Sequence, residues 1–228
     1  MSGEIYSLDD VHKIRLGASE GLSKTTGWRT WNAALVSIEY LKTQELAGKS
    51  VCDVSSGNGL LALCAERLGA DEVIATECVA CLPLLERNIA DNQSAVRAVA
   101  HAWGESLSAS LLTRRSDLII LSDLLFIAFR DSIEHLLLNS ILLMAPPSSK
   151  EITRVVLCYE ERLVNREEAF LAELHKYFDM NEVEMEGAYL ECMRSHDGDG
   201  DGDEEGGGAT SSLFYEDPPV RLLVLTRK

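Results

Sequence analysis

Three acids set around a glycine turn could act together on a bound ligand. The turn is Asp53-Val54-Ser55-Ser56-Gly57-Asn58-Gly59. Gly57 and Gly59 let the backbone take positive φ and approach a ligand closely, because no Cβ stands in the way. Asp53 places a carboxylate just ahead of them. Glu77 closes the next apolar segment, where an acid can accept hydrogen bonds from both hydroxyls of a ribose. Asp123 follows the continuous apolar run Leu118-Ile119-Ile120-Leu121. An acid at the carboxyl end of such a strand faces the crevice in which doubly wound sheets bind their ligands.

The spacing around these residues predicts the elements that position them. Residues 51–54 read as a short buried strand. From Leu60 the apolar spacing turns helical, through Leu61, Leu63, Cys64 and Leu68, and Gly69 stops it. Residues 72–76 form a second strand ending on Glu77. Strand, glycine turn, helix, strand and acid make one βαβ half of a nucleotide-binding sheet, with the helix N-terminus facing the ligand. This signal alone leaves the ligand open. Gly57-x-Gly59-x-x-Ala62 also fits a dinucleotide fingerprint with Glu77 as its acid, which would make the chain an NAD-dependent oxidoreductase, although no Tyr-x-x-x-Lys pair accompanies it. A packing turn with no ligand is the plainer alternative.

Five further stretches accompany the glycine turn in order between about residues 25 and 178. They are Thr26-Gly27-Trp28-Arg29-Thr30-Trp31-Asn32-Ala33-Ala34, Leu82-Pro83-Leu84-Leu85-x-x-Asn88-Ile89, Ala102-Trp103-Gly104, Asp117 to Phe126, and Cys158-Tyr159-Glu160-Glu161-Arg162. With the turn as motif I, the set resembles the class I S-adenosylmethionine-dependent methyltransferases, specifically the protein-lysine methyltransferases of the methyltransferase-16, or methyltransferase-like 21, group. The resemblance implies a single α/β domain: a Rossmann-like, doubly wound, seven-stranded sheet with an antiparallel last strand. It implies S-adenosylmethionine as cofactor, held by Trp31, Asp53, Ser55, Gly57, Gly59, Glu77, Cys78, Ala102, Trp103 and Ser122. It gives catalytic roles to Asp123, Phe126 and Tyr159, with Asp123 aligning a substrate amine and the two aromatic rings walling its channel. The implied partner is a protein presenting a lysine. One position departs from the pattern: Ser55 stands where the family usually has glycine. That departure motivates a second reading, a methyltransferase-like protein that binds without turnover.

Composition narrows the alternatives. The 228 residues suit one domain, 46% of them are apolar, and no run approaches the ~20 apolar residues of a membrane span. The first residues lack the basic start and apolar core of a signal peptide. A monomer in the cytoplasm, possibly also in the nucleus, is the expectation. A net charge of −16 with no cluster of Lys and Arg speaks against nucleic acid and for a basic protein partner. Of the six cysteines, Cys78-x-x-Cys81 resembles half a metal or redox site. It has no second Cys/His pair at ligand spacing, so reduced thiols and no metal are expected.

The remaining elements follow from periodicity. Residues 1–25 read as a helix or loop leading into the domain, 31–46, 82–90, 133–144 and 167–178 as helices, and 95–100, 154–159, 182–193 and 220–226 as strands. Residues 195–212 read as a disordered acidic insert. Asp197, Asp199, Asp201 and Gly202 match the first half of a calcium loop, but Gly208 stands where its glutamate should be.

Overall fold

The computed structural model describes residues 4–17, 27, 29–112, 115–185 and 219–228. In chain order the strands are β1 (Glu4–Ser7), β2 (Lys13–Leu16), β3 (Ser50–Val54), β4 (Glu72–Glu77), β5 (Arg97–Ala100), β6 (Leu118–Ser122), β7 (Arg154–Glu160), β8 (Phe178–Val183) and β9 (Val220–Arg227). The helices are α1 (Asn32–Lys42), α2 (Leu60–Arg67), α3 (Leu82–Asp91), α4 (Ala109–Leu112), α5 (Leu124–Arg130), α6 (Glu134–Met144) and α7 (Val164–Leu174).

Seven strands form one mixed sheet in the order β5-β4-β3-β6-β7-β9-β8. β3 to β7 pair in parallel, and β9 enters antiparallel between β7 and β8. The central strands are apolar at nearly every position because both faces are covered. In β6, Leu118 and Ile120 point into the layer that holds α1 and α2, whereas Ile119 and Leu121 point into the layer of α5, α6 and α7. In β7, Val156 and Cys158 share the first layer, and Val155, Leu157 and Tyr159 the second. This is the period-two alternation of a strand, fed by two apolar cores instead of one.

From β3 the chain winds outward through β4 and β5, then returns to the other side of β3 for β6 and β7. The loops after β3 and β6 therefore diverge, and the crevice at the carboxyl ends of the strands opens there. The acids identified from sequence lie at this end: Asp53 within β3, Glu77 closing β4 and Asp123 directly after β6.

Several elements differ from the sequence expectation. Within residues 1–25, β1 and β2 form an antiparallel hairpin, not a helix or loop. Its Tyr6, Leu8, Ile14 and Leu16 enter the first core layer, and Asn92, the C-cap of α3, clasps Arg15 by accepting from its N–H (2.9 Å) and donating to its carbonyl (2.7 Å). α1 ends at Lys42, short of residue 46, and α7 starts at Val164 and ends at Leu174. β8 begins at Phe178, so the strand expected over 182–193 lies earlier. α5 was not expected at all. The acidic segment 195–212 and its partial calcium loop lie outside the described residues, as does most of the lead-in beyond Gly17.

Candidate active site

The glycine turn is shaped by close approaches that only glycine permits. Gly57 has φ 58°, and a Cβ there would stand 2.7 Å from the carbonyl oxygen of Gly27. Gly59, at φ 88°, caps α2, and a Cβ there would stand 2.7 Å from a methyl of Leu85. Asn58 holds the turn from three sides. Its Nδ2 donates to Thr30 Oγ1 (3.0 Å), its Oδ1 accepts from the N–H of Leu60 (3.2 Å), and its carbonyl accepts from Asn88 Nδ2 (2.7 Å). Asn88 is fully buried and also accepts from the N–H of Gly17 (2.8 Å), so α3 ties the hairpin to the turn. Sequence reasoning placed Asn88 in a motif without giving it this role.

Glu77 is 7% exposed, and its two oxygens accept from the backbone N–H groups of Gly57 (2.8 Å) and Cys78 (2.7 Å). These bonds aim the carboxylate across the mouth of the turn and leave a lone pair on each oxygen for a ligand. Asp53 lies deeper, with Ser56 Oγ donating to its Oδ2. Burial pushes its carboxyl up to about 7; the Ser56 hydroxyl works against that shift and the neighbouring charge of Glu77 adds to it.

Ser55 takes φ 54°, the left-handed region that glycine would occupy without strain. Its hydroxyl has a partner that glycine could not provide: the indole Nε1 of Trp103 donates to Ser55 Oγ at 2.9 Å. Trp103 is thereby fixed beside the turn, after β5. His101 in the same segment is buried, its Nε2 finds no hydrogen-bond partner among the described residues, and burial holds its imidazole below the ordinary range. Neither His101 nor the acceptor role of Ser55 was anticipated from sequence.

After β6, Asp123 takes φ 55° and is 7% exposed. Its carboxylate accepts two hydrogen bonds from Arg162, Nη1 to Oδ1 at 2.8 Å and Nη2 to Oδ2 at 3.1 Å. Arg162 also bonds Glu160, whose carboxylate is buried. The turn carrying Arg162 is fixed by buried Glu167, which accepts from the N–H groups of Arg162 and Leu163 (3.0 and 2.9 Å). The guanidinium lies 5.8 Å from the ring centroid of Trp31 and 5.2 Å from that of Phe126. Arg29, which also lines the cavity, places a second guanidinium 5.2 Å from the Trp31 ring centroid, so two carboxylates and two guanidinium groups meet here.

These groups border a cavity of about 530 Å³ lined by Trp31, Asp53, Ser55, Gly57, Glu77, Cys78, Ala102, Trp103, Ser122 and Asp123, among others. That size suits a small-molecule cofactor. Of the residues expected to hold a cofactor, all but Gly59 line it; Gly59 shapes the turn from behind. The aromatic pair expected to wall a substrate channel is placed differently. Phe126 sits outside the lining, one turn along α5 beside Arg162. Tyr159 is fully buried, because its parity in β7 turns it into the α5–α7 layer, with Arg221 6.0 Å from its ring centroid.

Solved structures of similar fold include the ribosomal protein L11 methylase from Lactobacillus delbrueckii subsp. bulgaricus, 20% identical over 98% of this chain and 98% of that chain, with a TM-score of 0.51. Another is the C-terminal domain of precorrin-6Y C5,15-methyltransferase from Rhodobacter capsulatus, 14% identical over 89% of this chain and 92% of that chain, with a TM-score of 0.50. The seven-stranded fold is that of the class I methyltransferases. The profile of the methyltransferase-16 family, described as lysine methyltransferase, matches residues 10–177, and the chain belongs to that family. Among curated proteins none matches this chain. S-adenosylmethionine is thus the cofactor, and the dinucleotide reading of Gly57-x-Gly59-x-x-Ala62 gives way.

Proposed function

We propose that this methyltransferase acts on the ε-amine of a lysine presented by a partner protein. The observation that carries the reading is the buried Asp123 carboxylate at the carboxyl end of β6, held bidentate by Arg162 at the edge of the cavity. When bound, S-adenosylmethionine supplies an electrophilic methyl group on a sulfonium. Glu77 accepts from the ribose hydroxyls, the Gly57–Gly59 turn gives the backbone clearance for close approach, and Trp103 with Ala102 borders the adenine.

Asp123 accepts a hydrogen bond from the incoming amine and so aims its lone pair, while the Trp31 and Phe126 rings hold the Arg162 guanidinium that orients Asp123. A free lysine has a pKa of ~10.4, so its ammonium must release a proton to solvent before the N–C bond can form as the sulfonium S–C bond breaks and S-adenosylhomocysteine leaves; leaving water for this partly apolar site favours that proton loss. No covalent enzyme intermediate is required, and the chain contributes position and electrostatics. The net charge of −16 suits attraction of a basic protein surface. We place the reaction in the cytoplasm, on a protein and not on nucleic acid, with the enzyme acting as a monomer. Among the described residues no helix is long and apolar enough to cross a membrane.

The test is transfer from methyl-labelled S-adenosylmethionine in a cell lysate, followed by hydrolysis of the labelled product. Label recovered as methyllysine supports the proposal. Label confined to RNA, to small molecules or to another amino acid overturns it.

A further inference from the structure

The segment that closes β4 carries a second set of donors, which shares Glu77 with the cofactor reading and adds two thiols that the methyl transfer step does not use. A carboxylate oxygen of Glu77 and the sulfur atoms of Cys78 and Cys81 all lie within 4.8 Å of one another. The chain folds back to make this cluster: the N–H of Cys81 donates to the carbonyl of Cys78 at 3.0 Å, and α3 starts at the next residue. Cys81 is buried at 4% exposure, Cys78 is exposed, and all three residues line the cavity. Opposite them sits Gly27. A Cβ on it would lie 3.7 Å from the Cys81 sulfur and 3.8 Å from Glu77 Oε2, both ordinary contact distances, so the backbone of residue 27 borders the cluster closely.

Two sulfurs and one carboxylate oxygen are a donor set for a borderline-soft divalent ion of the zinc class. Bonds of about 2.3 Å to sulfur and about 2.0–2.2 Å to oxygen put the donors around a tetrahedral ion roughly 3.5–3.8 Å apart. A small closure from the present spacing reaches that, and the cavity offers the fourth position to water. Cysteine and histidine spacing alone could not reveal the set, because its third donor is the acid adjoining Cys78.

We propose that Glu77, Cys78 and Cys81 form a binding site for a zinc-class divalent cation, and that this cation and the cofactor exclude one another. The thiols coordinate as thiolates, releasing their protons to solvent, and no redox change is involved. Exclusion rests on the reading of Glu77 as the ribose acceptor: a carboxylate turned onto a metal no longer presents its lone pairs to the ribose hydroxyls.

The test uses the reduced full chain with Cys192→Ser as parent, since Cys192 lies outside the described residues. Titration with cadmium should raise an ultraviolet thiolate-to-metal charge-transfer band that saturates at one ion per chain. Cys78→Ser and Cys81→Ser, each checked for folding by circular dichroism, should each abolish that stoichiometric band. No saturable band in the parent, or a band unchanged in both variants, overturns the site. Calorimetry with S-adenosylhomocysteine is then run with and without one equivalent of zinc. A loss of affinity of at least tenfold supports exclusion; equal affinity overturns it. Glu77→Ala measured without metal keeps the two readings apart, because unchanged S-adenosylhomocysteine affinity there removes the ribose assignment and leaves the cadmium result to judge the ion site.

Discussion

Arg162 reaches across 39 residues of sequence to grip Asp123 through two hydrogen bonds, while its guanidinium lies against Trp31 and Phe126. The pair fixes where the Asp123 oxygens point, and it neutralises one of two buried carboxylates at the substrate end of the cavity. Arg162→Ala leaves Asp123 and Glu160 without that counter-charge. Loss of one partner from a buried pair costs about 3–5 kcal/mol. We expect a loss of stability of that order in chemical denaturation, with Arg162→Lys intermediate because an ammonium cannot make the same forked contact. A change within about 0.5 kcal/mol for the alanine variant would show that the pair is peripheral.

Ser55 presents two opposed effects that substitution can separate. A non-glycine residue in the left-handed region costs roughly 1–2 kcal/mol, and a net hydrogen bond contributes about 0.5–1.5 kcal/mol. Ser55→Ala keeps the strain and removes the acceptor for Trp103, so it should destabilise by about 1 kcal/mol. Ser55→Gly loses the same acceptor but relieves the strain, and should lie within about 1 kcal/mol of the parent. Denaturant midpoints of the two variants check this; an alanine variant more stable than the glycine variant would contradict it.

The raised carboxyl of Asp53 makes stability depend on pH. Its ordinary value is 3.8 and burial lifts it to about 7, so between these values the folded chain binds a proton that the unfolded chain does not. Stability therefore falls as pH rises from about 4 to 7, by on the order of 4 kcal/mol from this one group. Asp53→Asn cannot ionise and can still accept from Ser56. Relative to the parent it should gain stability steadily across that window, with the difference levelling off above pH 8. Unfolding free energies at matched pH values measure the difference, and a pH-independent difference would refute the assignment.

What the sequence revealed about this fold followed from where its physical signals are local. β3, β4, β6 and β7 were legible because strands covered on both faces have apolar centres with polar residues at their ends, and the turn between β3 and α2 because its glycines stand where a Cβ would collide. The hairpin was missed although Tyr6 and Leu8, then Ile14 and Leu16, alternate into the core. The strands are short, and polar residues surround them. α5 was hidden because the helix starts directly after Asp123, so the apolar letters of β6 continue into it with no spacer. Tyr159 was assigned by motif alone; its parity with Val155 and Leu157 already turned it away from Cys158 and the α1 side. Arg162 stood in view within a quoted motif, but an ion pair between distant positions leaves no periodic trace.

The proposed function requires Asp123 to act on a lysine amine, apart from cofactor binding. The most direct measurement compares Asp123→Ala with the parent in methyllysine formation and in S-adenosylhomocysteine affinity, with folding confirmed for both. Transfer is expected to fall on the order of 100-fold, the scale of a lost positioning contact, with affinity held within a few-fold. Transfer at the parent rate, or affinity lost together with activity, would contradict the proposed function.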